Sequence, residues 1–219
     1  MTRRAILRML PPHMKIRKYI GGMVMTNGYL LGEGEHSVLI DAPSGVTDWL
    51  EQEGELPGEL LLTHQHYDHV EDVARLAAKG VKIRAFAEYS KDLTLENFRE
   101  QWGMPIEVAP YRIDDVLVDS RELTSGGMTF RIEHVPGHSP DSIVFITGEN
   151  DDSGPALAFV GDTLFADSIG RPDLPGGDQK LLLTGIREKL LTLPEDTRIF
   201  PGHGFETSIG RERSGNPFL

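Results

Sequence analysis

Four side chains that can bind a metal ion fall within the short stretch 64–69. They are His64, His66, Asp68 and His69, in the pattern HxHxDH. Imidazole nitrogens and carboxylate oxygens are ligands for Zn²⁺, Fe²⁺ and Mn²⁺, and burying so many titratable groups without a cation is costly. Alternate residues of an extended loop point the same way, so His64 and His66 can reach one ion. Asp68 and His69 would lie beside it, where they could bind a second ion.

Three further candidate ligands stand far along the chain, each next to a glycine. They are His138 in PGHS, Asp162 in GDT and His203 in PGHG. Glycine lets the backbone turn sharply and approach closely, which a crowded metal centre requires. The chain has no cysteine, so disulfides, thiolate metal sites and a cysteine nucleophile are excluded.

The elements around these residues predict how they are positioned. A buried strand is expected over 60–63, and the apolar spacing over 70–77 predicts one face of a helix, which places HxHxDH at a strand-to-helix junction. The other three candidates follow predicted strands at 128–135, 156–161 and 198–200. Loops at one edge of a rigid sheet can converge although they are far apart in sequence.

The rest of the chain reads as alternating short strands and amphipathic helices without a repeat or linker, which predicts an α/β fold. We expect one domain over 14–219, preceded by an N-terminal extension over 1–13. A helix should begin after the N-cap Asp178 and carry Leu182, Ile186 and Leu193 on one face. The further predicted strands are 15–20 and 23–31, paired around Gly21-Gly22, then 37–41, 82–87, 106–109, 115–119 and 142–147.

The charge and hydropathy of the chain limit the classes of partner that we expect it to bind. The 34 acidic and 22 basic side chains give a formal net charge of -12, which would repel nucleic-acid backbones and anionic membrane surfaces. No apolar run approaches the roughly 18 residues needed to span a bilayer. We therefore expect a small-molecule substrate, no nucleic acid, no membrane, and a monomer or homodimer. The cytoplasm is the expected compartment, and the basic residues of the first 18 leave a transit peptide to an organellar matrix as the alternative.

The order HxHxDH, then His138, Asp162 and His203 in their glycine contexts, resembles the signature of the metallo-β-lactamase superfamily over about residues 14–206. The resemblance implies a four-layer αβ/βα sandwich with two divalent metal ions at one edge. By that similarity Asp162 would bridge the ions, a hydroxide would lie between them, and Asp68 and Asp162 would be the catalytic residues. The implied ligands are His64, His66 and His138 for the first ion, and Asp68, His69 and His203 for the second.

Subfamily features favour a thioester hydrolase. The presence of Asp162 and the absence of cysteine disfavour a β-lactamase, and the stretches 161–178 and 211–219 look like the compact glyoxalase II-like hydrolases. The expected reaction is cleavage of a small thioester, similar to S-lactoylglutathione, by metal-bound hydroxide. A mononuclear iron persulfide dioxygenase and a lactonase are the alternatives. Zinc is the expected metal, with iron or manganese as alternatives.

Departures from the glyoxalase II pattern leave the substrate open. Glyoxalase II proper carries a C-terminal helical extension that holds glutathione, whereas only 16 residues follow His203 here. The sequence Pro140-Asp141-Ser142 also replaces a more usual Pro-Gly, so the pocket beside the metals is expected to differ.

Several other polar residues could have a structural or a functional role. Asp41 could orient a ligand imidazole or form a turn before Pro43. Arg171 and Asp173 could bind an anion or brace a loop, and bracing is favoured. Tyr67 and His134 are expected to be structural.

Overall fold

The computed structural model describes residues 15–103, 106–148 and 154–219, which form two six-stranded sheets and a small two-stranded one. The N-terminal extension predicted over 1–13 lies outside the described residues. The first sheet contains β1 Ile16–Gly21, β2 Thr26–Leu31, β3 Val38–Ile40, β4 Glu59–Leu61, β5 Lys82–Ala85 and β6 Asp115–Val116. The second contains β7 Glu122–Ser125, β8 Met128–His134, β9 Ile143–Thr147, β10 Leu157–Gly161, β13 Arg198–Pro201 and β14 Thr207–Ser208. The small sheet pairs β11 Leu164–Phe165 with β12 Ser168–Ile169.

The first sheet follows chain order, β1-β2-β3-β4-β5-β6. Its first two pairings are antiparallel, and the predicted pairing of the first two strands is confirmed by a register that joins Ile16 to Leu31 and Gly21 to Thr26. The turn between them covers residues 22–25, so the second strand begins at Thr26 and the prediction of strand over 23–25 is wrong. The pairings from β3 to β6 are parallel. Parallel neighbours need a crossover connection, so helices must lie between these strands.

The second sheet has the order β14-β13-β10-β9-β8-β7, and only β10 and β13 pair in parallel within it. The helices are α1 Val46–Glu53, α2 Tyr67–Val70, α3 Val73–Ala78, α4 Arg99–Trp102, α5 Gln179–Gly185 and α6 Ile209–Gly215, and a π-helical turn, Ile186–Leu190, continues α5. In the described parts of the chain no helix has both the length and the apolar character that a bilayer crossing demands. The side chain of Asp178 caps α5 as predicted, by accepting from the N–H of Leu181.

Alternating side chains of the two sheets build the layers. In the first sheet Leu30 and Leu39 face α1 and α3, whereas Leu31 and Ile40 face the second sheet. Side chains of the second sheet divide in the same way: Phe159 meets the first sheet, and its neighbours pack under α5 and α6. Because successive strand residues point to opposite faces, two sheets with apolar residues on both faces need a helical layer on each outer side. The predicted four-layer αβ/βα sandwich is therefore confirmed.

Three further local predictions are wrong. Residues 106–109 form no strand; the N–H of Val108 instead donates to Glu96 Oε1 (3.4 Å), and Pro110 has no N–H to offer a neighbouring strand. The strand over 115–119 is only Asp115–Val116 long. The helix over 70–77 is broken between α2 and α3, where the N–H of Asp72 donates to the carbonyl of Ala42 (3.0 Å). The strand β7 was not predicted.

The layer between the sheets gives a stability prediction. Phe159 is fully buried, and its ring stacks on Phe200 with centroids 4.9 Å apart. Phe159→Ala should lower the free energy of unfolding by about 3–5 kcal/mol, because the cavity forms in a closed layer. Leu181→Ala on the exposed side of α5 should change it by less than about 0.5 kcal/mol. Urea denaturation measures both, and equal effects would contradict this account of the core.

Candidate metal centre

His64 and His66 stand on the loop that follows β4. Their imidazole centroids are 4.7 Å apart, so both rings lie on the same side of the loop, as the alternation predicts. Gln65 between them points the opposite way, and its Nε2 donates to the carbonyl of Ala87 (3.0 Å). The loop therefore presents two imidazoles together to one side.

Asp68 and His69 lie in the single turn of α2. The N–H of His69 donates to the carbonyl of His66 (2.9 Å), which tightens the turn. Thr26 at the start of β2 donates its hydroxyl to Asp68 Oδ2 (2.6 Å). The turn thus places a second pair of candidate ligands beside the first.

The other three candidates reach the cluster from the ends of β8, β10 and β13. Asp162 follows β10 directly, while His138 and His203 stand a few residues beyond their strands. Glycine is required at Gly202, because a Cβ there would lie 2.2 Å from Asp162 Oδ1 and 2.6 Å from His69 Cε1. The close approach inferred from the glycine contexts is present in the structure.

The structure brings all seven predicted side chains together in three overlapping groups. Within each group the candidate ligand atoms lie no more than 4.8 Å apart. Asp162 stands between the outer groups: its Oδ1 is 3.4 Å from His69 Nε2, and its Oδ2 is 3.4 Å from His138 Nε2. The three groups are His64, His66 and His138; His64, His69 and Asp162; and Asp68, His69 and His203.

Most of the converging atoms make no hydrogen bond within the described residues, and the nearest approaches between the histidines and Asp162 are 3.4 Å long or slightly shorter. These buried atoms without a hydrogen bond are Nε2 of His64, His66, His69 and His138, and Oδ1 of Asp162. A buried polar atom without a partner costs about 1–3 kcal/mol, so five at one point would be a heavy burden on the fold. A divalent cation accepts lone pairs from both imidazole and carboxylate. The residues present therefore fit a metal site.

In three of these histidines the other ring nitrogen, Nδ1, contacts a protein oxygen, and this contact fixes the direction of the ring. Nδ1 of His69 contacts Asp41 Oδ2 (2.8 Å), and Nδ1 of His138 contacts the carbonyl of Arg171 (3.0 Å). Nδ1 of His203 contacts the carbonyl of Val24 (3.1 Å). When Nδ1–H donates to such an acceptor, the lone pair of Nε2 is left free for a metal.

Asp41 combines the two interpretations of its sequence position. Its φ of 58° is left-handed, which suits a turn. Its fully buried carboxylate also accepts from the N–H and the hydroxyl of Thr63 (2.8 Å each) and faces His69. Asp41 therefore joins the end of β4 to a candidate ligand.

The tri-histidine group is held electrically neutral. Burial and the neighbouring imidazoles put the pKa of His64 well below its usual value. Burial, with His138 beside it, lowers the pKa of His66 to about 3. These rings offer neutral nitrogens at any physiological pH.

In the group of Asp68, His69 and His203 the carboxylates raise the pKa values of the histidines instead of leaving them lowered. Although burial opposes it, Asp68, Asp41 and Asp162 hold the pKa of His69 well above its usual value. Burial also opposes a charged His203, yet hydrogen bonds to Asp162 and Asp68 raise its pKa to about 10. Protons thus balance the carboxylates when no cation is bound, and a metal ion would replace them.

The remaining candidates lie outside the cluster. Arg171 and Asp173 form an exposed two-pronged ion pair (2.8 Å for each contact), which agrees with loop bracing. His134 stacks on Phe86 with centroids 4.1 Å apart, and Tyr67 packs against the outer core of the first sheet, so both are structural as predicted. The carbonyl groups of Arg171 and Val24 were not predicted.

Comparison with known proteins matches residues 21–203 to the metallo-β-lactamase superfamily. A relative from Bacillus subtilis, named as a probable metallo-hydrolase, is 34% identical over 94% of this chain and 98% of its own length. The hydroxyacylglutathione hydrolase GloC of Haemophilus influenzae is 41% identical over 73% of this chain and 74% of its own length.

Solved structures agree with the fold. The B3 metallo-β-lactamase BLEG-1 is similar with a TM-score of 0.80 and 34% identity, over 94% of this chain and 99% of that one. The protein TTHA1623 in a di-iron-bound form is similar with a TM-score of 0.75 and 34% identity, over 93% of this chain and 100% of that one.

The contact between Asp41 and His69 gives a prediction for metal affinity. In Asp41→Asn the amide nitrogen would face Nδ1 of His69 and force the ring proton onto Nε2, the metal-facing atom. We expect metal affinity to fall about 10–100-fold, while the left-handed turn survives because asparagine tolerates it. Competition with a coloured chelator measures the affinity. Asp114→Asn, which alters a carboxylate bonded to the N–H of Ile83 away from the cluster, is the control, and equal affinities in the two variants would contradict the role of Asp41.

Proposed function

Since the chain belongs to the metallo-β-lactamase superfamily, we propose that it is a metal-dependent hydrolase that cleaves a small thioester. The observation that carries the proposal is the convergence of five buried ligand atoms that make no hydrogen bond within the described residues. The similarity to a hydroxyacylglutathione hydrolase supports a thioester as the substrate. The superfamily alone leaves the substrate open, because one fold hosts many reactions.

Two divalent cations fit the arrangement of the groups. His64, His66 and His138 would hold one, and Asp68, His69 and His203 the other. Asp162 has one oxygen toward His69 and the other 3.3 Å from His203 and 3.4 Å from His138, a position from which it would bridge them. The donor set suits zinc first, with iron and manganese as alternatives, and the di-iron form of TTHA1623 supports iron as a candidate.

Bound cations supply a Lewis acid for the substrate carbonyl and lower the pKa of a coordinated water toward about 7. The chain's own residues supply position. Asp41 and the carbonyl groups that contact Nδ1 of His138 and His203 fix the directions of the imidazoles. Asp68, fixed by Thr26, and Asp162 are proposed as the catalytic carboxylates, because they would hold the reacting centre in one geometry.

A thiolate is the leaving group that this site suits. All seven titratable side chains of the cluster would be engaged as ligands, so none of them remains to protonate what leaves. An expelled amine needs a proton, whereas a thiolate hardly does. The geometry therefore favours a thioester over an amide.

A β-lactam amide is the second candidate, favoured by the similarity to BLEG-1. Asp162 and the lack of cysteine weigh against it. The two candidates separate in one experiment, because a thioester and a β-lactam can be offered to the same metal-loaded protein.

We predict that the purified chain, loaded with Zn²⁺ or Fe²⁺, hydrolyses S-lactoylglutathione faster than it opens a chromogenic β-lactam. Release of glutathione thiol and absorbance of the opened β-lactam measure the two rates. Oxygen consumption with glutathione persulfide and opening of acyl-homoserine lactones test the dioxygenase and lactonase alternatives in parallel. Thioester cleavage no faster than that by the metal salt alone would refute the proposal.

Asp162→Asn is the matched variant for that assay. It keeps the size of the side chain and removes the negative charge between the two proposed metal positions. We therefore expect kcat to fall by at least about a hundredfold. Asp173→Asn, which alters an exposed carboxylate near the site, should leave the rate within a small factor of the original. A rate that survives in Asp162→Asn would mean that the observed hydrolysis arises elsewhere.

A further inference from the structure

A buried carboxylate stands next to the tri-histidine group without being part of it. Asp141 is 2% exposed and lies three residues after His138. Its oxygens accept from Ser139 Oγ (2.5 Å) and Gln65 Nε2 (3.3 Å), and the N–H groups of Gln65 and Asp141 also favour its charged form. In the described part of the chain it has no ion-pair partner, so all its donors are neutral.

Gln65 is the other half of this contact, and it occupies the position between His64 and His66. Its fully buried amide accepts from the hydroxyl of Tyr111 (2.9 Å) while Nε2 donates to Asp141 and to the carbonyl of Ala87. The side chain is therefore fixed on three sides. Any shift of Asp141 would be transmitted to the loop that carries the two histidines.

The tri-histidine group is assembled from two separate segments. His64 and His66 come from the loop after β4, and His138 comes from the turn between β8 and β9; their ring centroids are 4.5–5.0 Å apart. At the base of this junction the N–H of Ile143 donates to the carbonyl of Thr63 (2.8 Å). The contact between Gln65 and Asp141 is a second, side-chain link between the same two segments.

The three neutral imidazoles form no hydrogen bond with one another through their Nε2 atoms. Some other interaction must hold the two segments together before an ion arrives, since a preorganised site binds a metal more tightly than one that must assemble. A buried carboxylate with only neutral donors is costly, and burial raises the pKa of Asp141 to about 6.

We propose that Asp141, acting through Gln65, is a positioning residue that assembles the tri-histidine metal position. The Asp68, His69 and His203 position has its own carboxylates, and Thr26 holds Asp68 separately, so it depends less on this link. The inference rests on the metal binding proposed above. It requires no particular substrate.

The test isolates each metal position in turn. His203→Ala leaves the tri-histidine position complete, and His138→Ala leaves the other position complete. Asp141→Ala is then added to each, and Co²⁺ affinity is measured from the visible absorption of the bound ion. We expect a loss of about 10–100-fold in the His203→Ala background and a much smaller loss in the His138→Ala background.

Asp141→Asn separates charge from shape. It keeps one oxygen acceptor and loses the charge, so the loss of Co²⁺ affinity should be smaller than in Asp141→Ala. Glu96→Gln is the matched control, because Glu96 is also a buried carboxylate with neutral donors, Tyr89 Oη (2.9 Å) and Thr94 Oγ1 (2.8 Å). Among the described residues its hydrogen bonds do not reach the ligand loops, and its link to Gln65 is indirect, through the rings of Tyr89 and Tyr111. It should leave Co²⁺ affinity unchanged even if it destabilises the fold.

Hydrogen exchange in the metal-free protein gives a readout independent of any ion. Asp141→Asn should speed exchange of the amide protons of Gln65 and His66, whereas Glu96→Gln should not. Equal losses of Co²⁺ affinity in both backgrounds, or unchanged affinity together with unchanged exchange, would overturn the role of Asp141. A parent chain that binds no Co²⁺ would overturn the metal site itself. Normal Co²⁺ binding without thioester cleavage would leave the inference intact and refute only the proposed substrate.

Discussion

Buried ligand atoms that make no hydrogen bond within the described residues are the constraint on which the rest of the structure depends. Five such atoms meet at one end of the sandwich, and two carboxylates lie within 3.4 Å of their histidine neighbours. The protein alone can balance this cluster only with protons, as the raised pKa values of His69 and His203 express. Bound metal would satisfy both the lone pairs and the charge, which is why the cluster fits a metal centre.

The two sheets hold the cluster because each supplies part of it at the end of a strand. The first sheet contributes the HxHxDH turn after β4, and the second contributes Asp162 after β10 and His203 after β13. The layer between the sheets, with its stacked Phe159 and Phe200, fixes their separation. Side-chain contacts then set orientation within this frame: Asp41 acts on His69, and we propose that Asp141 acts on the tri-histidine group.

Much of this could be predicted from the sequence because residue type carried the signal. HxHxDH, the three glycine-flanked ligands and the strand before each one were all visible, and they converge as expected. The carbonyl groups of Arg171 and Val24 could not be predicted, since a backbone acceptor can belong to any residue. Gln65 was hidden in the same way, because it occupies an unspecified position of the motif and its buried partners lie far away along the chain.

The predictions of secondary structure were wrong where tertiary contacts changed the backbone conformation that the local sequence pattern favours. The apolar spacing over 70–77 correctly marked a buried face, but the contact of Asp72 with Ala42 breaks the helix there. Ile106 and Val108 are buried as strand residues would be, yet their segment lies outside both sheets. The residue types of a segment predict whether it is buried more reliably than they predict the hydrogen-bond partner of each backbone group.

The central claim is that the seven side chains form one site for two cations. Its most direct test is the metal content of the chain after it is loaded with Zn²⁺ and the excess is removed. Inductively coupled plasma mass spectrometry measures the metal, and a protein assay gives the concentration that converts it to ions per chain. The account predicts about two ions per chain, in line with a two-metal site. A content well below one ion per chain would contradict it.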